Sequence, residues 1–281
     1  MLNPNDFKQS LWALDSLGAM PTVLVKVWEL AKDPTSNLET VGGLLRNDSA
    51  LAAGIIRISN SPYYAPTTFH SNLTSAIACI GMTELIRAIN LSLAHQLFAR
   101  DLHSYGISAS DYWTGSVSAA LVMNALAGHS GLNPEDAHTV GILHAIGRIL
   151  INRVVEERRF TIYWDGLEPI QAWERASVGF DFAEAGAMLL EHWRFPRTMC
   201  ETIRWQLLPE KVTEQVSMLG LLQFTRQLVE LTGLNFENKD WQFPEAHPFV
   251  QASGLTRDSI AGLLSKCGDD LQNIRASVDL N

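Results

Sequence analysis

The sequence predicts an all-α fold. Apolar residues recur at helical spacing along nearly the whole chain, capping signals divide them at intervals, and no stretch alternates as a half-buried strand would. No internal repeat or low-complexity tract is visible. With 281 residues, 47% hydrophobic and 18% charged, the chain can bury a sizeable core as one large domain or two smaller ones.

Asp33-Pro34-Thr35 ends one helix, and Ser36-Asn37-Leu38-Glu39 fits a capping box in which Ser36 and Glu39 each take an orphan amide. Asp48 caps a helix over residues 49–59, with Leu51, Ile55, Ile56 and Ile58 on its apolar face. Asn60 can close that helix in a left-handed conformation while Ser61 and Pro62 fix the exit. Asn72 starts a helix over residues 73–80, Gly81 ends it, and Thr83 starts a long helix through Phe98. Residues 101–110 are less regular and read as a boundary between halves.

Helices then span residues 111–127 and 134–155, the second with Asn133 at its N-cap and Pro134 at its first position. Residues 140–151 are apolar nearly all round, which predicts the central buried helix of the second half. Helices follow near residues 168–177, 182–192, 197–206 and 214–231, an irregular stretch covers 233–248, and Thr256 caps a last helix to about residue 276. The predicted units are residues 1–105, residues 106–232, and a C-terminal irregular segment with a helix over 233–281.

A net charge of −9 and a pI near 5.3 argue against a broad nucleic-acid footprint. Arg148, Arg153, Arg158 and Arg159 read as the solvated end of a helix, with a local basic patch as the alternative. Cys79, Cys200 and Cys267 are widely spaced with no CxxC pair, which predicts reduced thiols rather than a disulfide frame or zinc site. Residues 1–10 show no basic stretch leading into an apolar segment, and no apolar run approaches the ~18 residues of a membrane span. A soluble, cytoplasmic protein is expected, with no membrane partner.

Ordered landmarks run through both halves. The first holds Ala19-Met20-Pro21, Asp33-Pro34, Asn47-Asp48-Ser49-Ala50-Leu51, Arg57-Ile58-Ser59-Asn60-Ser61-Pro62-Tyr63-Tyr64 and Ser75-Ala76-Ile77-Ala78-Cys79-Ile80-Gly81. The second holds Tyr112-Trp113-Thr114-Gly115-Ser116, Gly141-Ile142-Leu143-His144-Ala145-Ile146-Gly147-Arg148, Gly179-Phe180-Asp181-Phe182-Ala183-Glu184-Ala185-Gly186 and Trp193-Arg194-Phe195-Pro196. Over roughly residues 8–208 this order resembles the HDOD domain, a bacterial all-helical regulatory module related to the HD metal-dependent phosphohydrolases. The resemblance implies an HD-like multi-helical bundle of two helical subdomains, and a place in signal transduction.

It also implies where HD relatives keep their metal ligands. A first His corresponds to Gly115, the His-Asp pair to His144 and Ala145, and a further His to Phe182. Paired histidines correspond to about Trp205-Gln206-Leu207, and the last aspartate has no counterpart, since no Asp occurs between Asp181 and Asp240. One ligand survives, and a lone imidazole does not hold a catalytic divalent metal. No metal, no cofactor and no catalytic residue are expected.

His144 reads either as a buried imidazole with one satisfied hydrogen bond or as a residue facing a relic pocket. His138 lies six residues from it, misphased as a co-ligand. Ser116, Ser118 and Ser177 lie in helical contexts, and no Gly-x-Ser-x-Gly turn, Walker loop or Gly-x-Gly-x-x-Gly appears. Trp113, Trp193 and Trp205 are core aromatics or lining of the vacated site. Phe182 in place of an expected His predicts a filled, mostly apolar former site. Function would then move to the surface, where Asn60, Ser61, Tyr63 and Tyr64 are either structural or partner-binding.

The resulting expectation is a non-catalytic signalling module binding a protein or small ligand. The alternatives are a divergent phosphohydrolase and a nucleotide sensor using the relic pocket around Gly115, His144, Ala145, Phe182 and Trp205.

Overall fold

A computed structural model describes residues 25–27, 29–30, 33, 35–46, 48–157, 163–233 and 242–278. Ala19, Met20, Pro21, Pro34, Asn47, Arg158 and Arg159 lie outside the described residues. Among those described, helices carry the architecture, and the β pairing is one isolated bridge between Leu102 and Ile107.

The first half holds α1 (Leu38–Leu45), α2 (Ser49–Ser59) and α3 (Leu73–Leu97). Asn37 caps α1, accepting the Thr40 amide at 2.9 Å, one residue beyond the expected Ser36. Asp48 and Asn72 cap α2 and α3 as expected. Gly81 sits inside α3 at φ 76°, a left-handed kink that joins the two predicted segments into one bent element. By length and composition α3 is long enough and apolar enough to cross a membrane, contrary to expectation. More than half of its apolar stretch is nevertheless buried among other helices, and Arg87 bridges Glu84 and Glu135 from its middle, as in a core helix.

The second half holds α4 (Ala109–His129), α5 (Pro134–Leu143), α6 (Gly147–Glu157), α7 (Ile170–Val178), α8 (Phe182–His192), α9 (Arg197–Trp205) and α10 (Met218–Thr232). A short α11 (Pro248–Ser253) and a long α12 (Arg257–Val278) follow. Helix α4 is the hub, packed on α5, α10, α12 and α3. Helix α12 touches both α4 and α2, so it bridges the two halves, and one continuous apolar core runs from Val25 to Ile274.

The predicted helix over residues 134–155 is broken. Helix α5 ends at Leu143, His144, Ala145 and Ile146 form a turn, and α6 restarts at Gly147. Side chains from elsewhere capture the freed carbonyls: the Tyr112 hydroxyl donates to Ala145 O at 2.6 Å, and Gln206 Nε2 to His144 O at 2.7 Å. The segment is still central, with Ile142, Leu143, Ile146 and Leu150 each at most 2% exposed. Leu143→Ala is expected to cost about 2–5 kcal/mol in chemical denaturation, and a change below ~0.5 kcal/mol would contradict its core placement.

Candidate functional site

The break between α5 and α6 opens the side of a cavity of about 450 Å³. Tyr112, Gly115, Ser116 and Ala119 of α4 form one wall. His144, Ala145 and Arg148 come from the turn and the start of α6, and Arg226, Val229 and Glu230 from α10. Gly106, Ile107 and Asp111 complete the lining. The expectation of an occluded, mostly apolar former site is therefore corrected: the site is open and holds two arginines.

His144 uses Nδ1 against the Gly141 carbonyl at 2.7 Å, so the neutral ring keeps Nε2 as acceptor. Burial pushes its pKa down to about 3, with Arg226 and Arg148 also disfavouring the imidazolium against the pull of the Gly141 carbonyl. Ala145 is buried at 4% exposure, its methyl beside the cavity and its carbonyl held by Tyr112.

Phe182 is the first residue of α8, fixed by the Asp181–Glu184 capping box. It is buried, but it underlies the arginines rather than filling the space. The Arg148 guanidinium carbon lies 4.5 Å and that of Arg226 5.7 Å from its ring centroid. These are cation–π contacts on one ring. Arg226 also donates from Nη1 to the Gln206 carbonyl at 3.0 Å, and burial, then Arg148, lowers its pKa to about 10. Arg148 disfavours the charge on Arg226, so this pairing on one ring is held against like-charge repulsion.

Beneath them Glu174 accepts the Tyr105 hydroxyl at 2.9 Å and the Phe182 amide at 3.0 Å. Burial raises its carboxyl to about 7, opposed by those two hydrogen bonds and by Arg148. Asp181 pairs with Arg175 at 2.7 Å.

Trp205 is not among the lining residues; its ring lies under Lys211 Nζ at 4.8 Å. Its neighbour Gln206 reaches the site instead, through His144 O. Trp113 is core, 1% exposed. Arg148, read as part of a solvated helix end or a local basic patch, faces the cavity, and Gln206 is the member of the Trp205–Leu207 segment that reaches it; Arg226 and Tyr112 carry no ligand position in the resemblance.

The turn at Asn60 is accounted for structurally. Asn60 has φ −90°, not the expected left-handed conformation, which falls to Ala65 at φ 40°. Its amide donates to Ile56 O and His70 O, and its Oδ1 accepts the His70 amide, so it pins the loop end to α2. Ser61 is buried. Tyr63 and Tyr64 are half-buried and edge-on at 4.8 Å, with the Tyr64 hydroxyl on Glu84.

The HDOD domain family profile matches residues 17–209. This chain belongs to the HDOD domain family. Among solved structures it resembles an HDOD domain protein of unknown function from Geobacter sulfurreducens, at 21% identity and TM-score 0.67, over 92% of this chain and 91% of that one. It resembles a candidate phosphohydrolase from Shewanella amazonensis SB2B at 20% identity and TM-score 0.68, over 96% and 98%. A candidate signal transduction protein from Marinobacter aquaeolei VT8 matches at 19% identity and TM-score 0.67, over 93% of this chain and 58% of that one. An uncharacterized protein of Treponema pallidum (strain Nichols) is 20% identical over 222 residues, 77% of this chain, and this chain spans 42% of it.

The likeness to a candidate phosphohydrolase raises the question of a metal, and the residues of this HDOD domain do not fit one. His144 is the surviving imidazole, and its nearest charged neighbours in the cavity floor are guanidinium groups, which repel a divalent cation. Among the described residues no cluster of three His, Cys, Asp or Glu could hold a metal ion.

Proposed function

We propose that this HDOD domain is a non-catalytic, cytoplasmic signalling module that works by binding, with the former metal site as its binding cavity. One observation carries the reading. Positions that correspond to metal ligands hold Gly115, Ala145 and Phe182, and the Arg148 and Arg226 guanidinium groups lie beside them, with Asp111 and Glu230 on the exposed side of the cavity. A metal-dependent hydrolytic site needs a Lewis acid and a positioned water; a site whose inner part holds two cations and a neutral His144 suits an anion better than a metal. The likeness to a candidate signal transduction protein agrees with a regulatory role.

Elemental analysis of protein purified without chelators tests this, together with turnover assays on nucleotides and generic phosphoesters with added Mn²⁺ or Mg²⁺. Substoichiometric metal and no turnover above blank are expected. About one metal per chain, lost together with turnover in His144→Ala, would sink the reading.

A further inference from the structure

The two cavity arginines make no direct ion pair among the described residues, although Glu230, Asp181 and Glu174 act on Arg226, and Glu174 on Arg148, at longer range. Arg148 comes from the first turn of α6 and Arg226 from the middle of α10, yet both lie on the Phe182 ring, at 4.5 and 5.7 Å. Among the described residues no carboxylate is within ion-pair distance of either. Arg148 Nε is buried without a hydrogen-bond partner, and Arg226 makes one hydrogen bond, to the Gln206 carbonyl. Asp181 and Glu174, the buried acids nearby, are engaged by Arg175 and by Tyr105 with the Phe182 amide. Two guanidinium groups meeting on one ring, neither in a direct ion pair, in a cavity of about 450 Å³ offer a receptor for a dianion.

Resting on the binding-module reading above, we propose that this cavity binds a small phosphomonoester, its phosphate seated between Arg148 and Arg226. A phosphomonoester dianion matches the two cations in charge and offers three acceptor oxygens to their planar forks. The rest of the ligand meets different chemistry. Asp111 and Glu230 line the exposed side, where they accept hydrogen bonds from hydroxyls or amines and repel further phosphates. The geometry therefore selects one phosphate attached to a hydroxyl- or amine-bearing body, and disfavours a triphosphate.

Calorimetric titration of the full chain with AMP, adenosine, ATP, inorganic phosphate and succinate tests the assignment. AMP is expected to bind, adenosine to give no signal, and ATP to bind more weakly than AMP. Arg148→Gln and Arg226→Gln should each weaken AMP about tenfold or more, the scale of one charged hydrogen bond. Arg197→Gln, at an exposed pair with Glu201, should leave affinity unchanged. Circular dichroism checks folding, and Arg226→Lys, which keeps the charge, should retain measurable affinity if the Gln variant fails to fold. Wild-type protein that ignores both AMP and inorganic phosphate at millimolar concentration overturns the proposal. So does unchanged AMP affinity in folded Arg148→Gln, or binding of succinate alone. Metal-dependent turnover of AMP that requires His144 would instead overturn the non-catalytic reading, with the phosphate site still judged by the arginine variants.

Discussion

Gly147→Ala is expected to cost more than ~4 kcal/mol or to prevent folding outright, beyond the usual range for a point substitution. The reason is a backbone approach. A Cβ at Gly147 would lie 2.0 Å from the Phe182 carbonyl oxygen and 2.5 Å from the Gly186 amide nitrogen. Both obstacles are main-chain atoms of α8, so no rotamer change relieves them, and α6 would have to move away from α8. That movement would carry Arg148 off the Phe182 ring. Gly141, whose Cβ would meet Ala120 Cα at 2.5 Å, ties α5 to α4 in the same way. Gly262 in α12 is the control, because a Cβ there meets nothing within 4 Å. Gly262→Ala should be neutral or stabilise by up to ~1 kcal/mol through helix propensity. Urea denaturation of the two variants decides: similar midpoints would mean that α6 and α8 are not in close contact.

These glycines show what the sequence carried and what it did not. Caps are local, one side chain against an amide three residues away, and Asp48, Asn72 and Asn133 stand at helix starts where their type and spacing place them. The family resemblance likewise located Gly115, His144 and Ala145, which the fold brings to one cavity. The break at residues 144–146 was not legible, because its cause is the capture of two carbonyls by Tyr112 and Gln206, 33 and 62 residues away. An apolar run with good helical periodicity gives no sign of such an interruption. Arg226 is not conspicuous in the sequence, because one charge on an amphipathic helix ordinarily marks the solvent face. Its signal was the company it keeps: Leu222 one turn before it, and Phe224, Thr225 and Leu228 around it, are all buried. Asn60 failed differently, since the helix end it was expected to close by backbone conformation is closed by its side chain reaching His70.

Phe182→Ala is expected to destabilise the protein by about 3–5 kcal/mol, the range for deleting a buried aromatic ring. The ring is 1% exposed and lies in the apolar core, so part of the loss is transfer free energy and part is the void left behind. A second part is electrostatic. Arg148 disfavours the charge on Arg226, and the ring both approach contributes roughly 0.5–2 kcal/mol of attraction per cation at a partly desolvated site. Removing the ring leaves both guanidinium groups with less to hold them. Phe182→Leu separates the two contributions, because it restores most of the apolar volume without the quadrupole. It should recover much of the stability while leaving the arginines less ordered. Denaturation midpoints at low and high salt read the difference: screening relieves charge repulsion, so added salt should stabilise Phe182→Leu more than the wild type. A loss below ~1 kcal/mol for Phe182→Ala, or an identical salt response in Phe182→Leu, would mean that the ring merely fills space.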